Sequence, residues 1–338
     1  MATVGLEARP GDGPDAPLSA RRTPRLVHDD PSTADRTFNI VTMAAGISVL
    51  VLLTLVGFFL IVQSSSAISE SGPWQFLTRV EFRTDVSPPR VGVLGLLTGT
   101  VLVALTAITF AVPFGVLAAL AITEYAGAGA RKWLTGIVDL LAAVPSLLFG
   151  IWGFLFLSDK IIPISKWLST HLSFIPFFKT DEDARYIGSI FIAGIVVALM
   201  VLPIITAIVR EVFSQTPPGE KEAALALGGT RWGMIRTVVF PYGRGGIIGG
   251  SMLGLGRALG ETIAVALLLP QVPEVSIKIL QNGGATVSGF IANRAGSDDF
   301  TVSALMACGL VLFAITLATN MIASVVVSKS RSGAGVEL

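Results

Sequence analysis

The sequence predicts an all-α, polytopic membrane protein with six transmembrane helices. It is too apolar for a soluble core: 52% of the 338 residues are hydrophobic and 14% are charged, where soluble domains carry ~25% charged residues. The charges are also spaced so that six nearly uncharged stretches remain, each long enough to supply the ~20 residues with which a helix crosses a bilayer. Near-neutrality, with 24 Lys+Arg against 23 Asp+Glu, supplies no net basic field for nucleic acid. A single cysteine, Cys308, rules out an internal disulfide and any multi-cysteine metal site. Its expected role is that of a small buried hydrophobe.

Residues 1–36, rich in Pro, Asp and Arg, read as a disordered tail. Because this polar stretch precedes the first apolar run, that run is expected to be a retained span and not a cleaved signal peptide. The spans are expected at about 39–63, 91–123, 133–157, 186–209, 246–269 and 301–327, within one transmembrane domain over 37–328 and with a short tail at 329–338. The first, second, fourth and sixth carry no charge, the third only Asp139, and the fifth only Arg257 and Glu261. An even number of spans puts both termini on one side. Fourteen Lys and Arg fall on that side and nine on the other, so the positive-inside bias places both termini in the cytoplasm. Short amphipathic pieces at 74–82 and 161–172 are expected to lie at the outer interface. Pro113, Pro145 and Pro203 fall inside spans, as kinks for rocking or as static bends.

Enzyme chemistry finds no support. His28 and His171 lie outside the spans, so no intramembrane Ser/His or metal cluster can be assembled. Gly254, Gly256 and Gly260 miss the dinucleotide-fingerprint spacing, and no Walker-type loop occurs. The four-residue intervals Gly245/Gly249, Gly246/Gly250/Gly254 and Gly256/Gly260 instead suit close helix packing in lipid. Arg257 and Glu261, four apart, are expected on one helix face. Each costs about 2.5–3.5 kcal/mol at a helix centre, so they must face protein, water or each other. A self-neutralised ion pair is one reading. The favoured one is an anion-binding Arg held in check by Glu261 until substrate arrives, because a pair serving stability alone is replaceable by apolar packing. Asp139 either snorkels to the interface or reaches Arg257.

The loop at 210–244 is built for more than connection. Pro217 and Pro218 stop the incoming helix, Glu220 to Leu227 are helix formers with acids at the start, and Gly228 and Gly229 end that helix. Thr230 can cap the next turn, and Pro241 is expected to break the chain before the fifth span. Glu222-Ala223-Ala224, then Gly228 after three residues, then nine residues, then Val238-Val239-Phe240-Pro241, resembles the EAA loop of ABC-importer permeases. GLGRALGETIAV from Gly254, VPSLLFGIWG from Val144, ITEYA from Ile122 and FIAN from Phe290 narrow the resemblance to phosphate-specific permeases of the PstC type.

The resemblance implies a type I ABC importer permease (MetI-like) fold and import of inorganic phosphate driven by ATP. The implied partners are a PstA-type permease subunit, two ATPase subunits docked on the loop, and an extracytoplasmic phosphate-binding protein. It implies no cofactor on this chain, ATP and Mg residing on the ATPase, and no covalent chemistry. Arg257 and Glu261, with Asp139 as a further candidate, then belong to the substrate pathway; Glu222, Ala223, Ala224, Gly228 and Pro241 belong to the coupling loop. Two alternatives stand beside this: a permease for sulfate or molybdate, since an arginine in lipid does not choose among oxyanions, and a secondary transporter with Glu261 as proton carrier, against which the loop argues.

Overall fold

The computed structural model describes residues 33–296 and 298–330. The tails expected at 1–36 and 329–338 lie outside the described residues, apart from 33–36 and 329–330, which are helical. Residues up to Leu55 form one unit and those from Val56 another. Helix α1, Thr33–Ser71, runs through both. In the first unit it exposes every side chain of an apolar sequence, the pattern of a helix whose solvent is lipid.

In the second unit α1 is followed by α2 (Pro73–Thr78) and a two-residue antiparallel hairpin, β1 (Phe82–Arg83) with β2 (Arg90–Val91). Next come α3 (Leu94–Leu120), continued by a π-helical turn at Ala121–Tyr125, and α4 (Ala128–Ala142). α5 (Ser146–Trp152) passes through another π turn into α6 (Ser158–His171), and α7 spans Ile190–Ser214. The loop contains α8 (Pro218–Ala226) and α9 (Arg231–Met234). α10 (Phe240–Gly260), α11 (Ile263–Leu268), α12 (Val287–Asn293) and α13 (Asp299–Ser330) complete the chain.

Among the described residues five helices are long and apolar enough to cross a membrane: Thr33–Ser71, Leu94–Tyr125, Ser146–His171, Ile190–Ser214 and Asp299–Val327. α10 and α11 supply the sixth crossing, interrupted at Glu261 and Thr262. The third span departs from expectation. Residues 133–157 are not one helix, because Pro145, extended at ψ 138°, separates α4 from the long helix that begins at Ser146. Residues 161–172 accordingly form the end of that long helix and not a separate surface piece. Pro113 and Pro203, by contrast, sit inside the unbroken α3 and α7. Pro241 does not break the chain either. Val239 and Phe240 are helical, and the π turn at Ile235–Val239 joins α9 to α10 without interruption. A π turn has already displaced the hydrogen-bond register there, so a residue without N–H is accommodated.

α7 is the centre of the core, with fifteen of its 25 residues buried, and α3 and α10 pack against it. Glycine makes both approaches possible. A Cβ on Gly194 would lie 2.5 Å from Thr106 Cγ2 of α3, and Cβ atoms on Gly246 and Gly254 of α10 would lie 2.5 Å from Val212 Cγ2 and 2.6 Å from Val201 Cγ1 of α7. Gly249 and Gly256 face α13 instead, near Val327 and Asn320. Gly254→Val is therefore expected to cost about 1–3 kcal/mol by overpacking, seen as a lower melting temperature of the purified protein in detergent. Gly249→Ala, whose Cβ would meet only Val327 at 3.7 Å, should melt like wild type.

A second cluster joins the end of α1 to the hairpin, α12 and α13. Phe82 and Phe290 meet edge to face at 4.9 Å, the Arg294 guanidinium lies 4.6 Å from the Phe290 ring centre, and Cys308 is buried there as expected. Asp298 caps α13 by accepting from the Thr301 amide and hydroxyl, bonds that hold its carboxyl below the ordinary aspartate range. In the loops Lys278 donates to Asp181, and the Ile279 carbonyl accepts from the Phe191 amide at 2.8 Å, tying the stretch after α11 to the start of α7.

Candidate functional site at the α10–α11 break

A helix of glycines and apolar residues has no reason of its own to stop at Gly260. It stops because Glu261 takes an extended conformation (ψ 125°), fixed by two hydrogen bonds of its own and one between its two neighbours. Its carbonyl accepts from the Ser288 hydroxyl at 2.7 Å, its Oε1 accepts from the Ala264 amide at 3.4 Å, and the neighbouring Thr262 hydroxyl donates to the Gly260 carbonyl at 3.1 Å. Glu261 thus serves the first turn of α11, whose free amides attract a carboxylate. Gly150 lets α5 come close to α11, since a Cβ there would stand 2.8 Å from Ala264 Cα. That approach brings the first residue of α5, Ser146, to the break.

The result is a cleft of about 440 Å³ lined by Ser146, Arg257, Gly260, Glu261 and Thr262, among others. Arg257 is exposed into it, and Glu261 is 8% exposed. The ion pair that their spacing suggested is not formed: among the described residues Arg257 makes no salt bridge and no side-chain hydrogen bond. The helix ends between the two residues, so they share a cleft and not a helix face. Arg257 therefore presents its full guanidinium fork, five donors, to the cleft.

Asp139 does not belong to this site. It pairs with Arg210 of α7 at 3.4 Å, with 53% of its side chain exposed, and does not line the cleft. Of the two expected roles, contact with Arg257 is not formed. The sequence supplied no signal for the partner, because Arg210 is 71 residues away.

The loop forms as its punctuation dictates. Gly228 sits at φ +84°, a left-handed conformation that ends α8, and the Thr230 side chain accepts from the Gly233 amide at 3.1 Å to start α9. α8 buries none of its residues; Glu222 and Ala223 are exposed, while Ala224 is half-buried against the core. Leu227 is 91% exposed and Trp232 56% exposed.

What the sequence did not disclose is how this surface is joined to the spans. Lys221 of α8 bonds Glu124 at 2.7 Å, and the Glu124 side chain is only 6% exposed. Arg131 donates to the carbonyls of Ile122 and Thr123 at 3.1 and 2.6 Å, and the Arg231 guanidinium lies 5.4 Å from the Tyr125 ring centre. The stretch 122–126 at the end of α3 is thus gripped by three basic residues, two of them from the loop. An acid directly after an uncharged span was the available hint.

Comparison with known proteins agrees with this architecture. The family described as "Binding-protein-dependent transport system inner membrane component" matches residues 111–332. A "Phosphate transport system permease protein PstC 2" of Mycobacterium tuberculosis is 39% identical over 303 residues, 88% of this chain and 93% of that protein. The PstC protein of Xylella fastidiosa (strain 9a5c) is 35% identical over 295 residues, 86% and 89% of the two chains. Among solved structures, a chain of a bacterial alginate ABC transporter in complex with alginate-bound periplasmic protein superposes with a TM-score of 0.56 at 16% identity, over 85% of this chain and 93% of that one. At that identity the likeness concerns the fold. With a six-crossing helical core, an exposed interhelical loop and PstC relatives matched over nearly their whole length, the chain belongs to the binding-protein-dependent inner membrane components and, among them, to the PstC family of phosphate transport system permeases.

Proposed function

We propose that the chain is the membrane-spanning permease subunit of an ATP-driven importer of inorganic phosphate, and that phosphate passes Arg257 by alternating access. The PstC relatives point to the substrate. Within this chain, the observation that carries the reading is the unpaired guanidinium in the cleft at the α10–α11 break. A charge so placed in a membrane span is expensive unless it serves water, protein or an anion, and its planar fork matches two oxygens of a tetrahedral oxyanion.

The chain performs no covalent chemistry and binds no nucleotide in this reading. ATP and Mg reside on two ATPase subunits that dock on α8, whose unburied surface, with the 91% exposed Leu227 just after it, suits a protein partner. A PstA-type permease completes the pathway, and an extracytoplasmic binding protein delivers phosphate. Both termini and α8 face the cytoplasm. In intact cells a Ser214→Cys chain should then resist an impermeant thiol reagent while Asn293→Cys labels; the reverse pattern overturns the orientation. Function is tested by radiolabelled phosphate uptake in cells lacking other phosphate importers and expressing the partner subunits with this chain. Uptake of sulfate or molybdate in place of phosphate, or phosphate uptake that persists without the ATPase, would refute the reading.

A further inference from the structure

The cleft is lined by an arginine and a glutamate that form no salt bridge with one another. Arg257 by itself would accept sulfate as readily as phosphate, since both offer paired oxygens to a guanidinium fork. Glu261 behaves differently. It is nine-tenths buried, lines the cleft, and commits one oxygen to a single 3.4 Å hydrogen bond from Ala264; its other oxygen accepts none among the described residues. An ionised carboxylate only accepts hydrogen bonds. Placed beside an anion site it repels every anion except one that brings a donor. Inorganic phosphate keeps at least one P–OH at neutral pH; sulfate keeps none.

We propose, building on the reading of Arg257 as the anion's contact, that Glu261 is the specificity-determining residue of the pathway and selects oxyanions that still carry a proton. The fork of Arg257 holds two oxygens of phosphate while a P–OH of the same ion donates to Glu261. The hydroxyls of Ser146 and Thr262, which can donate or accept, complete the polar lining. A fully deprotonated oxyanion leaves Glu261 facing it with no proton between them, a repulsive element of the kind that creates specificity. Closed sites that require a substrate hydroxyl reject analogues lacking it by about 10⁴–10⁵-fold. Glu261 acts in a water-accessible cleft, where screening lowers the ratio, and about 10–100-fold is expected.

The experiment reads the cleft directly, so that the selectivity of the binding protein does not intervene. Ile263 lines the cleft and is 48% exposed, whereas Cys308 is fully buried. Ile263→Cys in the whole importer, purified with its partner subunits into lipid nanodiscs, is labelled with a small thiol reagent and followed by mass spectrometry of this chain's own peptide. Phosphate and arsenate are expected to slow labelling about tenfold or more, and sulfate at the same concentration less than about twofold. Adding Glu261→Gln should let sulfate protect as well as phosphate does, and Glu261→Asp should keep sulfate out. Glu261→Ser, which removes the charge while leaving an acceptor for the Ala264 amide, serves if the Gln chain does not assemble.

Sulfate protection equal to that by phosphate in the Glu261 protein overturns the selectivity role and leaves Arg257 as the anion contact. The same holds if an assembled Gln or Ser variant still excludes sulfate, or if neither variant assembles, which makes Glu261 a structural cap. Protection by no anion at all overturns the reading of Arg257 and this proposal with it.

Discussion

Arg257→Ala should abolish phosphate uptake while the importer still assembles. Among the described residues no side chain is left unpaired by the change, because Arg257 has no salt-bridge or side-chain hydrogen-bond partner there to orphan; what is lost is the fork offered to the anion. Two charge-assisted hydrogen bonds at about 1.5–3 kcal/mol each correspond to a loss on the order of a hundredfold or more in uptake. Arg257→Lys keeps the charge but not the planar pair of donors, so roughly ten- to hundredfold of that loss should remain. The double change Arg257→Leu, Glu261→Leu separates this from a structural ion pair. If the two residues existed to neutralise each other, removing both would restore uptake. With no pair in the structure, the double variant should be as inactive as Arg257→Ala. The measurement is radiolabelled uptake with membrane-inserted protein quantified in parallel, and near-normal uptake by the double variant would end the substrate-contact role.

Breaking the joint between loop and spans should cost nearly as much. Glu124→Ala leaves Lys221 facing a pocket that held its counter-charge, and removing one partner of a buried pair costs about 3–5 kcal/mol, against ~1 kcal/mol for an exposed one. With 6% of the Glu124 side chain and 21% of the Lys221 side chain exposed, the cost lies nearer the upper figure. The expected result is an assembled complex in which ATP hydrolysis no longer rises when loaded binding protein is added, and uptake falls at least about tenfold. The charge swap Glu124→Lys, Lys221→Glu should recover part of the coupling. A double-mutant cycle showing no interaction energy between the two positions would reduce the contact to surface decoration.

The places where sequence and structure part company have two causes, distant partners and local backbone. Asp139 finds its partner on α7, 71 residues away, and Glu124 finds its own on α8, 97 residues away. No local spacing announces such pairs. Arg257 and Glu261 are legible in the sequence as a pair, but their relation is not, because the i,i+4 rule presumes a helix that continues. Pro145 was expected as a kink within one span and proved to be a full break between two helices, whereas Pro241 was expected to break the chain and did not. In each case the decision belonged to the neighbouring backbone: a free extended ψ before Ser146, a π turn before Phe240.

Composition and charge spacing alone determined that this is a helical membrane protein with about six crossings, since transfer of backbone and side chains into lipid leaves few alternatives. Local punctuation determined α8 and its glycine stop, because left-handed conformations and helix caps depend on adjacent residues. The glycine intervals likewise announced close packing of the fifth crossing, without naming α7 as its neighbour. Only the tertiary structure decided that α10 ends at Gly260, that Glu261 turns to cap α11, and that Arg257 is left unpaired in a cleft with Ser146. Those outcomes rest on Ser288 of α12, Ala264 of α11 and Gly150 of α5 meeting at one point, a convergence of distant segments set by packing and not by any residue's own preference.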